Sequence, residues 1–312
     1  VRALLAFLRL SRPLFLYGGV AGVALGAAVA RHLGHPIDLA GYLWAQGLVS
    51  AFHLMVHYAN DYFDRASDAH GDRGDRAEPS YAAAVRGRHT PWAGGSGVLV
   101  SGELPPRVAL IAALVCAALG LAATAHFALA GNRTVGGLGS AILVFAWCYS
   151  APPLRLAARG LGELDTALVV AVLVPCTGFA AFAGRIEPAM LTATFPCALA
   201  MLAMMLAVEM PDAGADYLAG KRNLVVRWGV ATAYVALTAL SIATVAALLP
   251  QARAAAGPPG LLAAVPAVAC AVLLYLQARR GDWRPSRAAL LGVALYATTV
   301  TGLAAAFAAA PG

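Results

Sequence analysis

The stretch Asn60-Asp61-Tyr62-Phe63-Asp64-Arg65-Ala66-Ser67-Asp68 sets three carboxylates and an amide directly after the apolar run HLMVHYA. Asp61, Asp64 and Asp68 are spaced by three and then four, so on a continuing helix they share one face. A second cluster, EMPDAGADYLAGKR at 209–222, places Asp212 and Asp216 four apart with Glu209 one turn earlier. Carboxylates crowded at the end of an apolar run repel one another and are costly near hydrocarbon unless a cation joins them. An all-oxygen ligand set suits Mg²⁺, which keeps waters and bridges protein carboxylates to a substrate's phosphates. The expected metal ligands are Asp61, Asp64, Asp68, Asp212 and Asp216, with Asn60 beside them as a neutral oxygen donor.

The neighbouring cations supply the opposite charge. Lys221 is the only lysine in the chain and follows Asp216 together with Arg222, while Arg65 lies inside the first cluster and Arg12 precedes the first long apolar run. Cations beside metal-binding carboxylates make sense if a diphosphate is held between them. With an apolar interior behind them, that diphosphate is expected to carry an isoprenoid tail. The metal would act as a Lewis acid on the leaving diphosphate. Its departure leaves an allylic carbocation to be shielded from water until an acceptor attacks. Tyr149 and Ser150 are expected to frame the acceptor pocket, with His57 lining it one turn before Asn60. Asn60, Asp64 and Tyr149 are the catalytic candidates.

The elements that position these residues are apolar almost throughout. The 312-residue chain is 61% hydrophobic and 12% charged, whereas a soluble domain carries about a quarter charged residues. Uncharged runs lie at 14–30, 39–59, 108–130, 135–151, 166–184, 188–208, 230–250, 261–278 and 288–312. Each is near the ~20 residues a helix needs to cross ~30 Å of hydrocarbon. None shows the alternation of barrel strands. The expectation is an all-α integral membrane protein with nine transmembrane helices in a single domain over 1–312. The N-terminal apolar run is expected to be a retained helix rather than a signal peptide.

Basic residues set the orientation. With the N-terminus cytoplasmic and nine alternating helices, 18 of the 22 Lys and Arg residues fall inside, leaving Arg31, Arg133, Arg185 and Arg253 outside. The C-terminus is then outside, and both acidic clusters open on the cytoplasmic face of the plasma (inner) membrane. The net charge of +7 is thereby a topology signal and needs no nucleic acid. The five cysteines lie inside apolar runs without CxxC spacing and read as small apolar residues. His53-Leu54-Met55-Val56-His57 has metalloprotease spacing but Leu54 where the general-base Glu belongs, which argues against zinc. Asp72, Asp75 and Glu78 alternate with arginines as a solvated loop, and Trp92, Gly94, Gly95 and Gly97 are candidates for a lid.

These residues resemble the UbiA superfamily of intramembrane prenyltransferases. NDYFDRASD is similar to its first motif, NDxxDxxxD. PDAGADYLAGKRNLVVRWG is similar to its second, DxxxD with a Gly-Lys and an apolar-basic tail. YSAPPLRLAARGLGEL at 149–164 and SRPLFL at 11–16 resemble its helix 4–5 loop and helix 1 start, so the likeness covers the whole chain. The resemblance implies a helical barrel around a central cavity, Mg²⁺ held by both motifs through Asn60, Asp61, Asp64, Asp68, Asp212 and Asp216, and Lys221 on the diphosphate. GGSGVLVSG at 94–102 and the GKR tail look like the menaquinone-pathway branch, which implies a small aromatic acceptor, dihydroxynaphthoate. Glu209-Met210-Pro211 departs from the Asn-rich stretch of that branch. The rival class is a secondary transporter of a lipid or anionic small molecule, but its pathway would need polar groups at mid-depth. A protein that merely binds quinone or lipid would leave the aligned aspartates without a role.

Orientation is directly testable. Single cysteines at 31–38, 133 and 185–187, in a background lacking the native five, are expected to react with an impermeant thiol reagent from outside. Labelling of the 61–107 loop from that side would overturn the assignment.

Overall fold

The computed structural model describes residues 2–69, 95–281 and 284–310. The acids at 72–78 and Trp92 and Gly94 of the suggested lid lie outside the described residues. Within them the chain is helical and contains no strand. In order, the helices are α1 (Arg2–Leu10), α2 (Pro13–His32), α3 (Leu39–Asp68), α4 (Pro106–Leu129) and α5 (Arg133–Cys148). They continue as α6 (Gly162–Ala183), α7 (Pro188–Glu209), α8 (Ala213–Leu218), α9 (Leu224–Trp228), α10 (Val230–Arg279) and α11 (Pro285–Ala309).

Prolines open α2, α4, α7 and α11, where the missing N–H would be unsatisfied in any case. Asn132 caps α5 by accepting a hydrogen bond from Val135 N–H at 3.1 Å. In α6, Pro175 has no N–H to donate, and the preceding residues Val169–Leu173 widen into a π-helical turn. The 50-residue α10 is two helices joined at a kink: Ala256 and Gly257 leave helical geometry, Gly257 at φ 62°, ahead of Pro258 and Pro259. The two apolar runs at 230–250 and 261–278 are its two arms.

Among the described residues, seven helices are long and apolar enough to cross a membrane, and α5 is a shorter apolar helix of 16 residues. Leu114, Leu119, Val235 and Leu262 are exposed on the outside of the bundle. With the charge content, this is the surface of an integral membrane protein whose solvent is lipid. Three short helices have no counterpart among the apolar runs. In α1, Ala6 and Leu10 are buried while Leu4, Leu5 and Leu8 are exposed; α8 and α9 carry the second acidic cluster and its basic tail.

Helices α2, α3, α5, α6, α7 and α11 surround one cavity, while α4 packs against α3 and α5, and α10 against α7 and α11. α2 and α6 approach each other backbone to backbone. A Cβ at Gly26 would stand 2.1 Å from the Pro175 carbonyl oxygen, and one at Gly178 would stand 2.5 Å from that of Val23. Lipid tails are as apolar as leucine, so helices in a membrane associate through such close, small-residue packing. Gly26→Val should therefore be strongly destabilising, beyond the ~1–3 kcal/mol of ordinary overpacking, because backbone rather than a side chain must give way. Thermal unfolding in detergent is expected to show a clear fall in Tm for this variant. Gly47→Val, at a glycine with open space around it, should show none; equal behaviour of the two would disprove the backbone contact.

Candidate active site

Both acidic clusters lie at the same end of the bundle, at the mouth of a cavity of ≈ 300 Å³. The last turns of α3 and α7, the end of α5, the start of α6 and the α8–α9 segment meet there. The mouth carries Arg12, Asn60, Asp64, Asp68, Asp212, Asp216 and Lys221, and the walls behind it carry Val49, Phe52, Val56, Val170, Val174, Met201, Met204 and Met205. A charged rim over an apolar sleeve suits an amphiphile with an anionic head.

Lys221 joins the two clusters. Its Nζ is 3.2 Å from Asp216 Oδ1 and 3.8 Å from both Asp64 Oδ2 and Asp68 Oδ1. Burial works against its charge, but Asp216, then Asp64 and Asp68, outweigh that and raise its pKa above the ordinary lysine value. The ammonium is held in place by its own segment. Lys221 N–H donates to the Asp216 carbonyl at 2.9 Å and Arg222 N–H to that of Ala158 at 2.9 Å. Asn223 donates from Nδ2 to Asp216 Oδ2 at 2.8 Å and caps α9 by accepting from Val226 N–H at 2.8 Å. Leu224 N–H donates to the fully buried Glu163 at 2.5 Å.

Asp64 is braced on its other side. Asn60 Nδ2 donates to Asp64 Oδ2 at 3.0 Å and to Ser150 Oγ at 2.8 Å, and Arg155 lies 4.0 Å from Asp64 Oδ1. Asp61 is placed differently. It is buried and paired with Arg12 and the Ser96 hydroxyl, and the Ser96 N–H adds a contact at 3.4 Å. Three converging carboxylates are thus realised as two that face the cavity and one satisfied within the protein, because Arg12 and Ser96 supply its counter-charge and donors. Asp212 lines the cavity. Tyr149 lines it too, and Ser150 is buried beside it. His57 is turned toward the α1–α2 junction, its Nδ1–H donating to the Ser11 carbonyl at 2.9 Å.

Arg65 and Arg222 are not brought to the cluster. Arg65 donates to the Tyr62 carbonyl and lies over the Tyr62 ring at 4.7 Å, and Arg222 lies over the Tyr217 ring at 5.6 Å; both are exposed. Sequence reasoning passed over Ser96, Arg155, Glu163, Asp165 and Asn223. Only Asn223 carried a usable signal, following the GKR tail directly in the position of a helix cap.

The donor set tests the fit of a metal. Asp64, Asp68, Asp212 and Asp216 offer oxygen only, and among the described residues no three such side chains form a ready-made metal cage. That suits Mg²⁺, which is usually held by one or two carboxylates together with substrate phosphates. It offers nothing for zinc at His53 and His57.

The fold and its mouth define an integral membrane protein with a charged rim over an apolar cavity. The model of the UbiA prenyltransferase family matches residues 19–300, and the chain belongs to that family; it is a prenyltransferase. Digeranylgeranylglyceryl phosphate synthase of Methanopyrus kandleri is 27% identical over 289 residues, 91% of this chain and 92% of the relative. The apo structure of a UbiA homolog from Aeropyrum pernix superposes with a TM-score of 0.67 at 18% identity, covering 92% of this chain and 96% of that one. A UbiA homolog from Archaeoglobus fulgidus bound to GPP and Mg²⁺ gives a TM-score of 0.61 at 18% identity, covering 95% and 99%.

Lys221→Gln is expected to weaken binding of a prenyl diphosphate while leaving affinity for the uncharged prenyl alcohol of equal length unchanged. Lys221→Arg should restore it incompletely, since a planar guanidinium does not replace a compact ammonium. Equal weakening of both ligands would show that Lys221 supports the fold alone.

Proposed function

We propose that this protein transfers a prenyl group from an isoprenoid diphosphate to an acceptor within the membrane, with Mg²⁺ as cofactor. The observation that carries the reading is the half-buried ammonium of Lys221 between Asp64, Asp68 and Asp216 at the mouth of an apolar cavity. Asp64 and Asp68 on one side and Asp212 and Asp216 on the other would hold the metal, with Asn60 as a neutral donor and Asp61 fixing Arg12 behind them. Mg²⁺, when bound, neutralises charge on the leaving diphosphate. Lys221 and Arg12 bind and orient that diphosphate, with Arg65 and Arg222 as outer cations within reach of solvent. The apolar walls take the tail and exclude water from the allylic cation. Tyr149, Ser150 and His57 border the acceptor side.

The proposal includes a single domain over 1–312, with nine crossings obtained by counting α5 and both arms of α10. The site faces the cytoplasm, the N-terminus lies inside and the C-terminus outside. The helices form a barrel about the cavity. A transporter is less well supported, because the charged groups gather at one mouth.

Two acceptor readings have specific support. A glyceryl phosphate lipid follows from the synthase relative aligned over 91% of the chain. A small aromatic quinone precursor of the dihydroxynaphthoate type, as in the menaquinone branch, follows from the GGSGVLVSG element.

The experiment incubates membranes containing the protein with Mg²⁺, labelled prenyl diphosphates of several lengths and both acceptor classes, and identifies products by mass. Prenylated product from one class is expected, and it should be lost on chelation. Asp64→Ala and Asp212→Ala should each lower turnover by about 10²–10³ while leaving the protein inserted. Normal turnover in both variants would remove the shared metal-diphosphate site.

A further inference from the structure

The cavity has a second polar feature that the diphosphate site does not use. Glu163, Asp165 and Tyr149 come from the loop and first turn leading into α6, and Glu209 from the last turn of α7. Glu163, Asp165 and Glu209 all lie within electrostatic reach of Tyr149. Glu163 and Glu209 lie within electrostatic reach of each other, and one carboxylate oxygen of each is buried without a hydrogen-bond partner. Glu163 anchors the Leu224 N–H through its other oxygen. Glu163 is thereby committed to the Lys221 segment. Asp165 lines the cavity, is 7% exposed where the cavity-lining Glu209 is only half-buried, and also has an oxygen, Oδ1, buried without a hydrogen-bond partner. A buried polar oxygen left without a partner costs about 1–3 kcal/mol, so its placement on an apolar wall calls for a ligand that donates to it.

We propose that Asp165 is the catalytic residue that binds the acceptor's hydroxyl and removes its proton, which makes the acceptor a hydroxyl-bearing molecule that attacks through oxygen. This rests on the prenyl-transfer reading above. As the acceptor oxygen forms its bond to the first carbon of the prenyl group, the bond from that carbon to the diphosphate oxygen breaks. Its electron pair leaves on the diphosphate. The O–H proton passes to the Asp165 carboxylate, which later releases it to solvent. The product is an ether. The geometry also favours separated polar groups. The acceptor's hydroxyl meets acids on the α6–α7 side, while the diphosphate meets Lys221 and Arg12 on the α3–α8 side, and Tyr149 lies between. An acceptor that placed its own anion against Glu163, Asp165 and Glu209 would be repelled.

The test uses purified full-length protein in nanodiscs, geranyl diphosphate with Mg²⁺ as the binding probe, and whichever hydroxyl acceptor the wild type prenylates. Asp165→Asn keeps the shape and loses the base. It is expected to bind geranyl diphosphate within twofold of wild type and to transfer about 10²–10⁴-fold more slowly at neutral pH. Its rate should climb about tenfold per pH unit as the acceptor hydroxyl ionises unaided, a rescue that a purely structural role would not produce. Asp165→Glu should recover part of the neutral rate. The proposal is overturned by transfer within tenfold of wild type in Asp165→Asn, by parallel loss of geranyl diphosphate binding, by a deficit that stays constant with pH, or by a carbon-prenylated product. If wild type binds geranyl diphosphate but prenylates no hydroxyl acceptor while a non-hydroxyl acceptor is prenylated, the Asp165 assignment fails and prenyl transfer stands. If it prenylates nothing, prenyl transfer itself fails.

Discussion

Ionised groups at the edge of hydrocarbon persist only if they neutralise one another, and that constraint organises this molecule. Lys221 lies within 4 Å of carboxylates from two helical segments far apart in sequence. The surrounding architecture keeps it there. Glu163, buried at the start of α6, holds the backbone at Leu224; Asn223 both caps α9 and holds Asp216; Asn60 and Ser150 fix Asp64 from behind. The same logic explains Asp61, whose charge is answered by Arg12 within the protein.

A bound diphosphate adds negative charge where the carboxylates already crowd. In the proposed reading the ammonium, the nearby arginines and Mg²⁺ would bring the balance back. The protein's own cation thus holds the carboxylates at the mouth together, while valine and methionine side chains line the cavity behind it. Head recognition and tail accommodation are separate physical problems solved at different depths of one cavity.

The long helices were legible because lipid leaves so little latitude. A run of ~20 uncharged residues can do little but cross the bilayer, and the starts of α2, α4, α7 and α11 were marked further by proline. The acidic clusters were legible for the same reason, since charge in so apolar a chain stands out. Short helices were not. α8 and α9 have only six and five residues and exist through contacts made by Asn223 and Glu163, not through any periodicity. Side-chain destinations were legible only in part. Helical spacing puts Asp61 with Asp64 and Asp68, yet Ser96, 35 positions away, is what claims it. Arg65 and Arg222 sit among the acids in sequence but rest on neighbouring tyrosine rings. Asp165 looks from sequence like a helix-start acid, and nothing in its spacing shows that its Oδ1 is buried without a hydrogen-bond partner.

The meeting of α2 and α6 does more than join two helices. The cavity reaches Gly18 on α2 and Val174 on α6. One turn further along α2, Gly22 meets Val174 and Pro175, and at Gly26 the two backbones touch. The hollow between these helices thus meets the Val174 side chain and the Pro175 ring first, and beyond them it closes on main chain. Such a floor acts as a hard stop rather than a soft one. Under the prenyl-transfer reading, an isoprenoid reaching past Val174 along this seam would meet main chain that cannot move aside.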